Sequence, residues 1–259
     1  MNDTAIKREP SIIFSDVDET VVNIRHKLAS LFYTKLLTSQ NAHMFNQSLL
    51  RIYESGNLTE FNQVIDTANN YYIEKEVLTP EGVQYFNSIH KSVGLYLYDT
   101  AQDEGFYDDL ELSFIGQSLA ANMKDDTKLI FLTHHSATAS QGSKGSLIAR
   151  YFPTAEIAFI PVDVKKSAII NELKLAGVKC DLFMDDRPDV LIETAANVKF
   201  TKATTLGLID HHYVNHFKDT DGSSIKEQLR IVSNALPNLR LSIYSPTRPD
   251  YGLDNVTFN

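Results

Sequence analysis

The chain has 259 residues, of which 24 are Lys or Arg and 33 are Asp or Glu, for a formal net charge of -9. That acidic balance argues against charge-driven binding to nucleic acid or to an acidic membrane surface, and a single cysteine, Cys180, excludes an intramolecular disulfide framework and points to a reducing compartment. The opening MNDTAIKREPS lacks the apolar stretch of a signal peptide and no later run is long enough to cross a bilayer, so a soluble, cytoplasmic protein is expected, with one sizeable core and a smaller accessory domain.

The first element is the stretch from Ser11 to Thr20, SIIFSDVDET. Ile12, Ile13 and Phe14 form a short β-favouring run suited to a strand buried on both faces; it stops at Asp16, with Asp18 two positions on. Open α/β sheets place their chemistry beyond the carboxyl ends of the strands. The alternative is that both acids merely end the strand and satisfy turn amides. The spacing permits a division of labour between them. A carboxylate can attack a phosphoryl group only if a hard cation such as Mg2+ neutralises both, and Mg2+ prefers oxygen ligands. Asp16 would then be the nucleophile. Asp18 would protonate the leaving oxygen and afterwards activate the water that hydrolyses the aspartyl-phosphate.

After Thr20 the pattern turns helical. Leu28 to about Leu37 is an apolar helix or part of a flap, and Met44 to Ser55 is another candidate helix, stopped by Gly56. Asn57 and Glu60 resemble a capping box ahead of Phe61, Val64, Ile65, Ala68 and Tyr72 at helical spacing, and Thr79-Pro80-Glu81 opens a further helix. With a possible strand at Gly94 to Tyr98, residues 23–105 read as a mostly helical insertion folded over the end of the first strand, leaving 1–22 and 106–259 as a discontinuous core. The alternative is a helical subdomain that only stabilises.

From Asp108 helix and strand alternate. Leu112, Ile115, Leu119 and Met123 line one helical face, and KLIFLT, Lys128 to Thr133, is a second buried strand ending in a hydroxyl that can hold a phosphate oxygen. A helix over Gly145 to Phe152, a strand over Glu156 to Ile160 and a helix over Ser167 to Ala176 follow, the last preceded by Lys165 and Lys166. The next strand, Asp181 to Met184, runs into DDRPD: Asp185 and Asp186 stand at its end as Asp16 and Asp18 do at theirs, and Pro188 opens a helix. This alternation predicts a parallel sheet whose strands all end on the same side, so that Thr133, a lysine and two acidic clusters converge.

Taken together and in this order, IIFSDVDET, LIFLT, KKSAII and LFMDDRPD resemble the four motifs of the haloacid dehalogenase-like (HAD) phosphohydrolases. The resemblance covers about Ser11 to Ser15 and Lys128 to Thr201. It implies a Rossmann-like α/β core with a parallel sheet, a mostly helical cap of the C1 type inserted between the first two motifs, and Mg2+ as cofactor. It further implies Asp16 as nucleophile and metal ligand, Asp18 as general acid/base that also gives the metal its backbone carbonyl, Asp185 as a metal ligand, and Asp186 as support for the metal shell. Thr133 would bind the transferring phosphoryl group and one lysine would neutralise it. Lys166 is preferred because Ile169 and Ile170 follow at the steps that seat its helix; Lys165 is the reserve. Thr20 completes the D-x-D-x-T form that looks like the family's phosphatases, and Thr20, His134 and Lys165 are the candidate substrate-binding residues.

The remaining features carry less. His134 and His135 would touch the leaving group or cap a loop. A metal reading of His211, His212 and His216 lacks an acidic or cysteine partner, Arg187 would pair with nearby carboxylates, and Cys180 would pack as a small hydrophobe. Beyond Gly207 the sheet is expected to be complete. Ile225, Leu229, Val232 and Leu236 mark an amphipathic helix, Leu239 to Tyr244 alternates like a strand, and the terminal SPTRPDYGLDNVTFN has no pattern. The expected activity is hydrolysis of a small phosphomonoester. A nucleic-acid-end or protein phosphatase, and a non-catalytic scaffold of the same fold, are the alternatives.

Overall fold

The computed structural model describes residues 11–24, 27, 101, 103–124, 126–135, 139–175, 180–200, 202–211, 214, 218–219 and 221–245. The helices expected between Leu28 and Gly94, the strand at Gly94 to Tyr98, His212, His216 and the chain after Ser245 lie outside the described residues, and with them the question of a cap. In chain order the elements are β1 (Ser11–Ser15), α1 (Phe114–Asn122), β2 (Thr127–His134), α2 (Gln141–Tyr151), β3 (Glu156–Ile160), α3 (Lys166–Leu175), β4 (Leu182–Asp185), α4 (Pro188–Asn197), β5 (Thr204–Ile209), α5 (Ile225–Ala235) and β6 (Leu239–Tyr244). The strands form one six-stranded sheet in the order β3-β2-β1-β4-β5-β6, and every neighbouring pair is parallel. This is the expected α/β, Rossmann-like core. No described helix is long and apolar enough to cross a membrane.

The continuous apolar runs follow from burial on both faces of the sheet. Side chains alternate along each strand. Ile13, Leu129, Phe131, Leu182 and Met184 therefore join one core with Ile115 and Leu119 of α1 and Leu147 and Ile148 of α2. Ile12, Phe14, Ile130, Leu132 and Phe183 face the other way, into a core with Ile170 of α3, Leu191 of α4 and Leu229 of α5. Thus α2 and α3, which flank the site described below, cover opposite faces.

Two expectations are corrected. The sheet is not complete at Gly207: β5 runs through it to Ile209, and β6 pairs with β5 as a further strand. Gly207 lies inside β5, where a Cβ would come within 2.8 Å of Tyr244 Cε2 and 2.9 Å of Met184 Cγ, so the glycine admits close packing. The helix expected from Gly145 starts at Gln141, because Gly142 and Gly145 lower helix propensity without preventing the turn. Its first turn contains Lys144. Cys180 packs as expected, buried in the core with Ile12 and Phe183.

The start of α1 is fastened to the turn that follows β1. Ser113, its N-cap, accepts from the Gly116 amide at 3.0 Å and donates to the Thr20 carbonyl at 2.9 Å, while the Ser113 amide bonds the Val21 carbonyl at 2.8 Å. Gly116 permits this approach, since a Cβ there would stand 2.3 Å from Val21 O and 3.1 Å from Val21 C. Backbone cannot yield as a flexible side chain can. Gly116→Ala is therefore expected to cost about 2–3 kcal/mol, the upper range of overpacking, read as a lower urea midpoint at unchanged m-value. Nearby, Val22 bridges Leu112 in antiparallel fashion, and Lys27 Nζ donates to the Phe106 carbonyl at 2.6 Å and pairs with Asp109.

Candidate active site

Strand β1 lies between β2 and β4, so its carboxyl end is flanked by the ends of both. The backbone carries the chain past the sheet edge: Asp16 N donates to Met184 O at 2.9 Å, and the Val21 and Val22 amides turn back to Val17 O, each at 3.0 Å. Glu19 takes a positive φ of 56° in this turn. His211, just after β5, donates to the Glu19 carbonyl and so ties the turn to the far side of β4.

The structure brings Asp16, Asp185 and Lys166 together. Phe14 and Phe183 face the α3 side, and the period of two puts Asp16 and Asp185 on that side as well. Lys166, the first residue of α3 and 2% exposed, stands 2.7 Å from Asp16 Oδ1 and 2.8 Å from Asp185 Oδ2. Burial disfavours its charged form, but the two carboxylates outweigh this and raise its pKa. The Asp16 carboxyl is also raised: burial is the largest cause, Lys166 opposes it, and Asp185 adds to it. Asp185 Oδ1 accepts the Arg187 amide at 3.0 Å. Arg187 itself pairs with Asp189, as expected of a partner for nearby acids, at 3.1 and 2.5 Å.

Asp16, Asp185 and Asp186 are all buried and each offers a carboxylate oxygen within 4.8 Å of the others. Three oxygen donors of this kind match the preference of a hard divalent cation. The donor set thus fits Mg2+. Asp18 points elsewhere, toward the α2 side. Its Oδ2 pairs with Lys144 Nζ at 2.7 Å, and the Tyr107 hydroxyl donates to both of its oxygens at 3.0 and 3.1 Å. Burial first, and Asp18 second, push the Tyr107 pKa up, so the phenol keeps the proton it donates. Thr133 is buried, and its Oγ1 accepts from Lys144 at 3.3 Å.

Three candidates lie elsewhere. Lys165 is 69% exposed and its nearest acid is Glu193 at 3.6 Å, which removes it from the cluster in favour of Lys166. His134 alternates with Thr133 and so points to the opposite face, where its Nε2 donates to Val164 O at 2.9 Å. It holds the loop leading into Lys166. Thr20 is fully buried under the start of α1, and its hydroxyl has no hydrogen-bond partner among the described residues. His135, by contrast, sits near Lys144 and Asp18; burial first and Lys144 second lower its pKa and favour the neutral ring.

Sequence reasoning missed Lys144 and Tyr107. A signal for the first existed: Leu147 and Ile148 follow Lys144 at the same steps at which Ile169 and Ile170 follow Lys166. Tyr107 meets Asp18 across 89 residues of chain and leaves no local pattern.

No protein-family model matches the chain, and no curated protein is detectably similar to it in sequence. Solved structures do match. A haloacid dehalogenase-like family hydrolase from Streptococcus pneumoniae is 14% identical with a TM-score of 0.41, over 92% of this chain and 95% of that one. A haloacid dehalogenase-like family hydrolase from Xanthomonas campestris is 14% identical with a TM-score of 0.39, over 93% and 92%. A HAD-superfamily hydrolase from Geobacter sulfurreducens is 12% identical with a TM-score of 0.39, over 86% and 97%. Likeness at that level decides nothing about activity, which has to be read from the side chains.

Proposed function

We propose that this chain is a HAD-like, Mg2+-dependent phosphatase that hydrolyses a small phosphomonoester through an aspartyl-phosphate at Asp16. The observation that carries the reading is the buried contact of Lys166 with both Asp16 and Asp185 at the central strand end. A lone buried carboxylate would protonate, whereas one beside an ammonium keeps a nucleophilic anion available. Asp16, Asp185 and Asp186 would hold Mg2+, which supplies charge neutralisation of the phosphoryl oxygens when bound.

The side chains then divide the work. With Asp18 starting in its acid form, Asp16 attacks phosphorus and the leaving oxygen departs with the Asp18 proton, giving an alcohol and an acyl phosphate on Asp16. Asp18, now anionic, takes a proton from water, which attacks the acyl phosphate and releases inorganic phosphate with Asp16 restored. Tyr107 and Lys144 hold Asp18 in place from one side, and Lys166 fixes Asp16 from the other. Thr133, whose Oγ1 accepts from Lys144 at 3.3 Å, would donate its hydroxyl proton to a phosphoryl oxygen. The net charge of -9 favours a small phosphoester over a nucleic-acid end.

The test is turnover of a panel of phosphomonoesters, from aryl phosphates to sugar and alkyl phosphates, with and without Mg2+. Chelation by EDTA is expected to abolish turnover and added Mg2+ to restore it. Turnover that persists unchanged in EDTA would overturn the metal assignment. Its absence across the panel with Mg2+ present would favour the non-catalytic scaffold.

A further inference from the structure

The ammonium of Lys144 is 1% exposed, yet it serves no structural pairing of its own helix. Its contacts are the Asp18 carboxylate at 2.7 Å, the Thr133 hydroxyl at 3.3 Å, and the Tyr107 ring, whose centroid lies 4.8 Å away. An ammonium has three N–H donors. Two are accepted by Asp18 and Thr133, and the third has no acceptor among the described residues. Leaving a donor of a buried cation unmet is costly, and here it occurs beside the two side chains that the proposed reaction turns toward the phosphoryl group.

The placement of the two lysines gives this a direction. Lys166 arrives from α3 on one face of the sheet and Lys144 from α2 on the other, each in the first turn of its helix. Both cations therefore border the end of β1, Lys166 beside the proposed nucleophile and Lys144 beside Thr133 and the proposed acid.

We infer that Lys144 is a second phosphoryl-binding residue, donating its remaining N–H to an oxygen of the substrate so that the two lysines clamp the oxyanion from opposite faces of the sheet. The inference rests on the reading of this site as a phosphoryl site.

Two measurements test it without requiring turnover. Calorimetric titration with inorganic phosphate in the presence of Mg2+ is expected to show Lys144→Met binding about tenfold to a hundredfold more weakly than the unaltered chain, the range of one charge-assisted hydrogen bond. Binding within twofold would overturn the inference. Because a buried substitution can impair folding, the unaltered chain is also crystallised with tungstate. The oxyanion should lie between the lysines with Lys144 Nζ within hydrogen-bonding distance of one of its oxygens; an oxyanion bound elsewhere, or none bound, would overturn the clamp. Phosphate held between the two lysines by a chain that hydrolyses no phosphoester would uphold the clamp and overturn the phosphatase reading.

Discussion

Asp16→Asn is expected to reduce phosphomonoester turnover by about a thousandfold or more, as removal of a covalent nucleophile does, while leaving the protein at least as stable as before. The second half of that statement makes the first interpretable. The raised Asp16 pKa means that burial disfavours its anion in the folded state, so a neutral amide of the same shape removes an electrostatic penalty. Lys166 keeps Asp185 as its partner at 2.8 Å. Steady-state kinetics on an aryl phosphate, with thermal melts of both proteins in EDTA, check the two halves together. Activity within tenfold of the parent would remove Asp16 from the nucleophile's role, and a large drop in melting temperature would show its charge to be stabilising.

Lys166→Met should be nearly as damaging to activity, about a hundredfold to a thousandfold, the loss found when a preorganised electrostatic donor is removed. Unlike the previous variant it should also destabilise, by about 3 kcal/mol near neutral pH, because two buried carboxylates lose their shared cation. The deficit has a pH signature in metal-free protein. A carboxyl whose folded pKa is raised contributes stability that is present below its unfolded pKa, about 4, and is lost as pH rises through the folded value. Lys166 lowers the Asp16 pKa, so its removal carries the folded value higher and widens that window upward. Urea midpoints measured in EDTA should therefore fall further behind the parent as pH increases from about 4. A deficit independent of pH would mean that lost packing, rather than unpaired charge, explains the destabilisation.

The strands bearing Asp16, Thr133 and Asp185 were legible because parallel strands buried on both faces appear as unbroken apolar runs, and because each run ends on a polar residue. Lys166 was legible from the apolar pair that seats its helix. What was not legible lay at element boundaries. Starting the helix at Gly145 rather than Gln141 left Lys144 outside it, and taking the sheet as complete at Gly207 hid the place of β5 and β6 in it. The remaining misses are contacts across long stretches of chain, such as Tyr107 with Asp18 and Lys144 with Asp18, the latter 126 residues apart. His134 illustrates the opposite error: adjacency in sequence to Thr133 suggested a shared task that the alternation of a strand forbids.

The antiparallel bridge between Val22 and Leu112 and the reach of Lys27 to the Phe106 carbonyl, 79 residues away, bind the exit and re-entry of the intervening chain to the same spot. Once such ends are joined, doubling the length between them adds only about 0.6 kcal/mol of closure entropy. Changing the number of residues between Lys27 and Ala101 is thus expected to alter the closure cost of this junction only slightly and to leave the sheet and its carboxylates in register.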